Sequence, residues 1–245
     1  MPTRFSNRYG ARPRGQCVTA GCARATSRIN GLCDRCTNNL RRHGEAQQTL
    51  PDTYALDYAV RRMEEARGRI KLLDLKALEA RWTSLVDDCR GRAKPSFKVQ
   101  KRLSYSKSDA EASALIRDVA EVMSFTRALD LLGAIHLLNI ERPTTFRSDD
   151  AVACVVVELF RRAANVGRKF ARILPGETRQ HSYRKDVSKQ TRLAAFRYLN
   201  VGLGAAALAL AKREAKREED ARATRASYWQ AVQSIAEATP SVAAE

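Results

Sequence analysis

Four of the six cysteines of this chain, Cys17, Cys22, Cys33 and Cys36, lie close together near the N-terminus in the spacing C-x4-C-x10-C-x2-C. A segment this short cannot bury a hydrophobic core, so something else must hold it together. Two closely spaced thiol pairs supply the four soft ligands of a tetrahedral zinc ion with little loop strain. Metal binding is then the main folding energy of the segment. Cys17 and Cys22 bracket Val-Thr-Ala-Gly, a run suited to a tight turn. Cys33 and Cys36 precede a short helical run that ends at His43 and Gly44, so ligands there gain from the positive end of a helix, which favours thiolates. An ion with all four positions filled by cysteine has no open site for water, and the expected cofactor is one structural Zn2+. A redox Cys33-x-x-Cys36 pair lacks a surrounding βαβ pattern. His43 is an alternative ligand that reads better as a surface or phosphate-contacting histidine.

Charge narrows the class of partner. Lys plus Arg number 44 against 27 Asp plus Glu, a formal net charge of +17. An excess of that size predicts attraction to a polyanion. The positive charge falls in three blocks: nine basic residues against two acidic in 1–50, six against none in 91–107, and eleven against two in 161–200. The blocks are separated by neutral or acidic helical segments, and the sequence leaves open whether they share a face. No stretch reaches 18 apolar residues, and the longest, Val201 to Ala211, contains two glycines, so no membrane partner is expected. The basic N-terminus is not followed by an apolar run and carries no secretory signal. A cytoplasmic location follows (nucleoid-associated in a bacterium), with reduced thiols rather than disulfides.

The pattern along the chain is mainly α: a small four-cysteine zinc module followed by an all-α helical domain. Residues 1–16, with Arg12 and Arg14, read as a flexible basic arm that lies along phosphates or enters a minor groove, or as a plain unstructured terminus. The module spans 17–44, a linker 45–52, the helical domain 53–238 and a disordered tail 239–245. Within the domain, 53–90 reads as one helix with an apolar stripe of Leu75, Leu78, Trp82, Leu85 and Cys89, stopped by Gly91 and Pro95. The connector 91–107 interleaves Phe97 and Tyr105 with Lys98, Lys101 and Arg102. That suits phosphate tracking and base stacking, or a solvated loop with its aromatics packed inward. Ser108 with Glu111 is a capping-box pattern opening a second helix to about Leu138, with Leu115, Val119, Val122, Leu129 and Leu132 as its buried stripe. Ser148 with Asp149 and Asp150 starts a third helix to about Leu174. A polar loop covers 177–187, and Ser188 caps a final helix to about Ala238, interrupted near Gly202 and Gly204.

The string from Cys22 through Gly31-Leu32-Cys33-Asp34-Arg35-Cys36 to Leu40-Arg41-Arg42-His43-Gly44 resembles small zinc modules of bacterial and phage proteins, some beside HNH nucleases. Such modules are similar to treble-clef or zinc-ribbon folds, and Cys36 stands where they often carry histidine. The resemblance covers residues 17–44 alone. It implies nucleic-acid binding and an accessory role in a phage, mobile-element or chromosomal DNA transaction. It carries over no nuclease activity, because the paired His and Asn of an HNH centre are not present.

Catalytic patterns are weak. His181-x-x-Arg184 has a tyrosine-recombinase spacing, with Arg142 and Tyr228 as nominal companions, but the surrounding sequence lacks that family's pattern. His136 reads as a satisfied buried histidine and Cys154 as an inert core thiol. Asp87-Asp88 and Asp149-Asp150 are helix neighbours pointing about 100° apart, so they form no carboxylate dyad. No phosphate-binding glycine loop or zincin motif occurs. The expectation is a non-enzymatic zinc protein that binds nucleic acid, DNA ahead of RNA. The expected contacts are Arg12, Arg14, Arg24, Arg28, Arg35, Arg41, Arg42, Lys98, Lys101, Arg102, Arg168, Lys169, Arg172, Arg184 and Lys185. The alternative is an adaptor whose helical domain binds a protein partner, or, more remotely, a recombinase- or nuclease-type enzyme.

Overall fold

A computed structural model of the chain describes residues 15–26, 30–93, 106–170, 182–184 and 186–238. It is mainly α, with the four-cysteine segment ahead of a helical domain. The helices in chain order are α1 (Asp34–His43), α2 (Thr53–Gly68), α3 (Leu72–Ala93), α4 (Lys107–Ala120), α5 (Phe125–Glu141), α6 (Asp149–Ala163), α7 (Lys189–Leu199) and α8 (Ala205–Ala238). A single 3-10 turn, Pro143–Thr145, separates α5 from α6, and a π-helical turn, Asn200–Gly204, joins α7 to α8.

Side-chain caps fix most helix starts. Asp52, Ser106, Ser124, Ser148 and Ser188 each accept a hydrogen bond from the backbone N–H three residues on, which satisfies an otherwise orphaned donor. The caps at Ser148 and Ser188 are the expected ones. The second long helix opens instead at Ser106, so Ser108 lies inside it. Two expected long helices are broken. Gly68 ends α2, and Arg69 turns the chain by donating to Ala66 and Arg67 carbonyls before α3 begins. The Ser124 cap restarts the helix after α4, which puts Val122 in the intervening turn and leaves it exposed rather than in the buried stripe.

The core is built around α5 and α6. Leu129, Leu132, Ile135 and Leu137 of α5 and Val155, Val156 and Phe160 of α6 are all fully buried. α2 and α8 pack on α5, α3 packs on α4, and α7 lies between α4 and α6. The stripe read on α3 is the one that packs: Trp82, Leu85 and Cys89 are buried, with Val86 beside them. The run Lys189–Ile235 contains a window long and apolar enough to cross a membrane by length and composition, and 44% of that window is buried inside the fold. Leu199, Leu203, Ala207 and Ala211 are among the side chains it places in the core.

The third helix stops earlier than its apolar run suggests. Ala163 ends α6, Asn165 and Gly167 take positive φ, and the chain enters β1 (Arg168–Phe170). β1 pairs antiparallel with β2 (Ser182–Arg184), placing Arg168 opposite Arg184 and Lys169 opposite Tyr183. Strand at these positions was not legible in a polar, basic segment without alternating apolar residues.

Candidate metal centre and the basic surface around it

The cysteine segment folds as a turn followed by a helix. Gln16 and Ala25 form an antiparallel bridge, and Cys17 N–H donates to the Arg24 carbonyl at 2.8 Å. Between them Cys22 N–H closes a tight turn on the Thr19 carbonyl at 3.1 Å. Gly31 brings the chain back, with φ +69°, and Val18 N–H donates to its carbonyl. A side chain at Gly31 would put its Cβ 2.6 Å from a Val18 methyl, so the position requires glycine twice over. Cys33 is then the N-cap of α1, and Cys36 sits in its first turn with its N–H toward the Cys33 sulfur at 3.5 Å.

These elements bring all four sulfurs within 4.8 Å of one another, with Cys22 and Cys33 3.8 Å apart. A tetrahedral ion with metal–sulfur bonds of about 2.3 Å separates its sulfurs by about 3.8 Å. Four cysteine thiolates at this spacing can hold a metal ion such as zinc. Three of the four are buried. Burial alone would push the Cys17 thiol up, but the Thr19 hydroxyl and the Cys33 N–H, each 3.3 Å away, favour its thiolate and bring it down to about 6. Burial and the adjacent sulfurs push Cys36 up to about 12. One thiolate therefore forms readily while its neighbour resists ionising beside it. Full ionisation of the set calls for a cation at its centre.

The module is docked on the helical domain, and the 45–52 segment takes part in the docking. Gln48 is buried, donates to the Thr145 carbonyl at 3.1 Å and accepts from Arg147 N–H at 3.1 Å. Ser148 Oγ donates to Glu45 at 3.1 Å, and Lys189 pairs with Asp150 at 2.7 Å while reaching the Gly44 carbonyl. Helix α1 lies along α6, and His43 in its last turn is 7% exposed, with burial holding its pKa below 6.5. This corrects the reading of His43 as a surface or phosphate-contacting residue: α6 covers it. His136 is half-buried and, among the described residues, its Nε2 has no hydrogen-bond partner, so it is not the satisfied histidine expected. Cys154 is fully buried, and burial raises its thiol, as suits a core residue.

Of the expected nucleic-acid contacts, Arg24, Arg35, Arg41 and Arg42 are described, and all four are exposed. Arg24 and Arg35 line a cavity of about 690 Å³ beside the cysteine cluster, together with Asn39, Gln47 and Arg147. Arg41 and Arg42 both pair with Asp186, two residues after the end of β2. Arg168 and Lys169 lie on β1 and Arg184 on β2. Arg12, Arg14, Arg28, Lys98, Lys101, Arg102, Arg172 and Lys185 lie outside the described residues, as do Phe97, Tyr105 and His181.

The sequence reading missed the charged layer beneath this surface. Glu158 is buried and takes Arg161 at 3.1 Å, Arg162 at 3.2 Å and the fully buried Arg192 at 2.9 Å. Burial raises its pKa, but the three guanidiniums outweigh burial and hold it below the usual carboxylate range. The Glu158–Arg161–Arg162 spacing was readable as helix i,i+3 and i,i+4 pairs. Arg192, 34 residues away, carried no such signal. Comparison with protein-family models, curated proteins and solved structures finds no match for the chain.

Proposed function

We propose that this is a zinc-containing nucleic-acid-binding protein, DNA ahead of RNA, in which one structural Zn2+ on Cys17, Cys22, Cys33 and Cys36 shapes a basic surface. The turn-plus-helix arrangement of the ligands supports the treble-clef side of the resemblance, in which a knuckle gives one ligand pair and a helix N-terminus the other. The observation that carries the reading is the meeting of two basic blocks distant in sequence. Arg41 and Arg42 at the end of α1 reach Asp186, and Asp186 also lies 3.7 Å from Arg192, beside Glu158 and its arginines. The 161–200 block and the module thus contribute to one region. The exposed side of α1 adds residues suited to a duplex groove. Arg35, Asn38, Asn39 and Arg42 recur at three- and four-residue steps, and Arg and Asn are the side chains that pair bidentately with guanine and adenine edges.

The role proposed is binding without catalysis, since four sulfurs leave the ion no position for a reacting water. An accessory part in a DNA transaction follows from the module's resemblance. The test is fluorescence anisotropy of the zinc-loaded protein with duplex DNA, single-stranded DNA and duplex RNA across a salt series. Micromolar or tighter binding to duplex DNA with a steep negative salt slope is expected. Absence of binding at low salt overturns the reading.

An adaptor role is the second reading, and one observation favours it. Tyr228, Trp229, Val232 and Ile235 are exposed along the outer part of α8. Such a stripe on a projecting helix suits a protein partner. A stoichiometric protein complex together with weak nucleic-acid binding would select it.

A further inference from the structure

Where the module meets the helical domain, Arg42, Glu158, Arg161, Arg162 and Asp186 line a cavity of about 170 Å³. Room for a tetrahedral oxyanion is available there, since a water occupies about 30 Å³. Two of the arginines at this junction are buried, Arg161 at 2% exposure and Arg192 at 0%. Among the described residues Glu158 is shared between them, its Oε2 accepting from both Arg161 and Arg192. Arg162 shares the same carboxylate through Oε1.

The remaining negative charge comes from Asp186. Arg41 and Arg42 pair with it, and Arg192 Nη2 faces it at 3.7 Å. That distance is too long for a hydrogen bond, and among the described residues Arg192 Nη2 is a buried donor with no hydrogen-bond acceptor. Among the described residues, five guanidiniums therefore meet two carboxylates. The two carboxylates differ in kind. Glu158 is enclosed on α6, whereas the Asp186 side chain is 34% exposed and lies on the segment between β2 and α7. A buried guanidinium donor left without an acceptor, as Arg192 Nη2 is, is costly unless an anion completes it. Guanidinium forks match the oxygens of phosphate better than those of any other common biological anion group except a carboxylate.

We propose that this pocket seats a phosphate group and that Asp186 is its resident counter-anion, displaced when the phosphate enters. The inference deepens the nucleic-acid reading and rests on it only for the carrier of the phosphate, a nucleic-acid strand rather than free orthophosphate. In the absence of ligand Asp186 pairs with Arg41 and Arg42 and faces Arg192 without a hydrogen bond. A phosphate oxygen would take their donors, including the one Asp186 leaves unsatisfied.

The test compares wild type with Asp186→Asn, which removes the charge and keeps the shape, and with Arg42→Gln, an exposed donor. The first probe is inorganic phosphate, read as stabilisation against thermal unfolding at ionic strength matched with chloride. Asp186→Asn is expected to bind phosphate roughly tenfold more tightly than wild type, because a like charge has been removed from the site. Arg42→Gln is expected to lose most of the wild-type phosphate response. Unchanged or weaker phosphate binding by Asp186→Asn overturns the proposal. If that variant does not fold, an Arg42→Gln response equal to wild type overturns it instead.

The second probe is a duplex oligonucleotide. Tighter duplex binding by Asp186→Asn supports the strand as carrier. A phosphate response without duplex binding keeps the pocket and removes the nucleic-acid reading. Duplex binding with no phosphate response in wild type or Asp186→Asn removes the pocket and keeps that reading.

Discussion

Gly44 stands at φ +83° with its Cα facing the carbonyl of Asp150, so close that a Cβ would lie 2.8 Å from that oxygen. The residue ends α1 in the left-handed conformation and at the same point lets the module touch the first turn of α6. The end of the module's helix and the docking of the module are therefore one event. Gly44→Ala is expected to destabilise the protein by about 2 kcal/mol or more, combining the left-handed strain with a backbone clash. Chemical denaturation with zinc bound measures it. A loss below about 0.5 kcal/mol would mean that the module is tethered and not docked.

Cys36→Ser is expected to abolish stoichiometric metal binding, from one zinc per chain to none, by elemental analysis of the purified protein. Serine oxygen is a poor fourth ligand in a thiolate site. The helical core, which does not include the four cysteines of the N-terminal cluster, is expected to keep its cooperative unfolding. Retention of one tightly held zinc by Cys36→Ser would contradict the assignment of all four ligands.

Glu158→Gln leaves Arg161 and Arg192 buried without their carboxylate. Removing one partner of a buried, hydrogen-bonded ion pair costs about 3–5 kcal/mol. The surface pair Arg90–Asp87 is the internal control, because exposed pairs contribute about 0–1 kcal/mol and Asp87→Asn is expected to change little. Equal effects from the two substitutions would show that the Glu158 network is not a structural centre.

Acid is expected to loosen the docking before it unfolds the core. Burial holds the folded pKa of His43 below 6.5, against an attraction from Glu158 and with further depression from Arg192, Arg162 and Arg42. Neutral His43 therefore contributes stability that is complete above 6.5 and is lost as the pH falls through its folded value. Glu158, and Glu214 of α8, where Arg217, Arg69 and Arg62 outweigh burial, are carboxylates held below 4.5, so their contribution is present above 4.5 and lost only at lower pH. Stability measured against pH should show the first decline below 6.5, and His43→Gln should flatten that part alone. An unchanged profile in the variant would remove His43 as its cause.

If nucleic acid is the ligand, each phosphate-contacting arginine adds about 0.9 to the slope of log affinity against log salt for duplex DNA. Arg24→Ala, Arg35→Ala and Arg42→Ala are each expected to lower the slope by about one and to weaken binding without unfolding the protein, since all three are exposed. Slopes equal to wild type in all three would place the contacts elsewhere.

Local chemistry was legible where it is decided locally. The cysteine spacing identified the four sulfurs that meet, because a turn and a helix start need only neighbouring residues. The Ser148 and Ser188 caps and the α3 stripe were legible for the same reason, since caps and apolar periodicity act within one or two turns. The break at Gly68–Lys71 and the restart at Ser124 were missed. A continuing apolar pattern hides a short turn, and Ser124 gains its meaning only from the side of α5 that the core covers. The β1–β2 ladder was missed because pairing between segments twelve residues apart in a basic stretch leaves no periodic trace.

By itself the sequence determined a mainly helical chain with one metal-competent cysteine cluster and three basic blocks. Those follow from residue types and short spacings, which act through local sterics and ligand chemistry. Tertiary structure alone decided that His43 is buried, that Gln48 pins the segment behind the module, and that Arg42, Arg161, Arg162 and Arg192 surround Glu158 and Asp186. Arg42, the Glu158–Arg162 turn of α6 and the Asp186–Arg192 stretch are far apart along the chain. Only the packing of α1, α6 and α7 brings their charges within a few ångströms, where Coulomb energies and desolvation become large enough to matter.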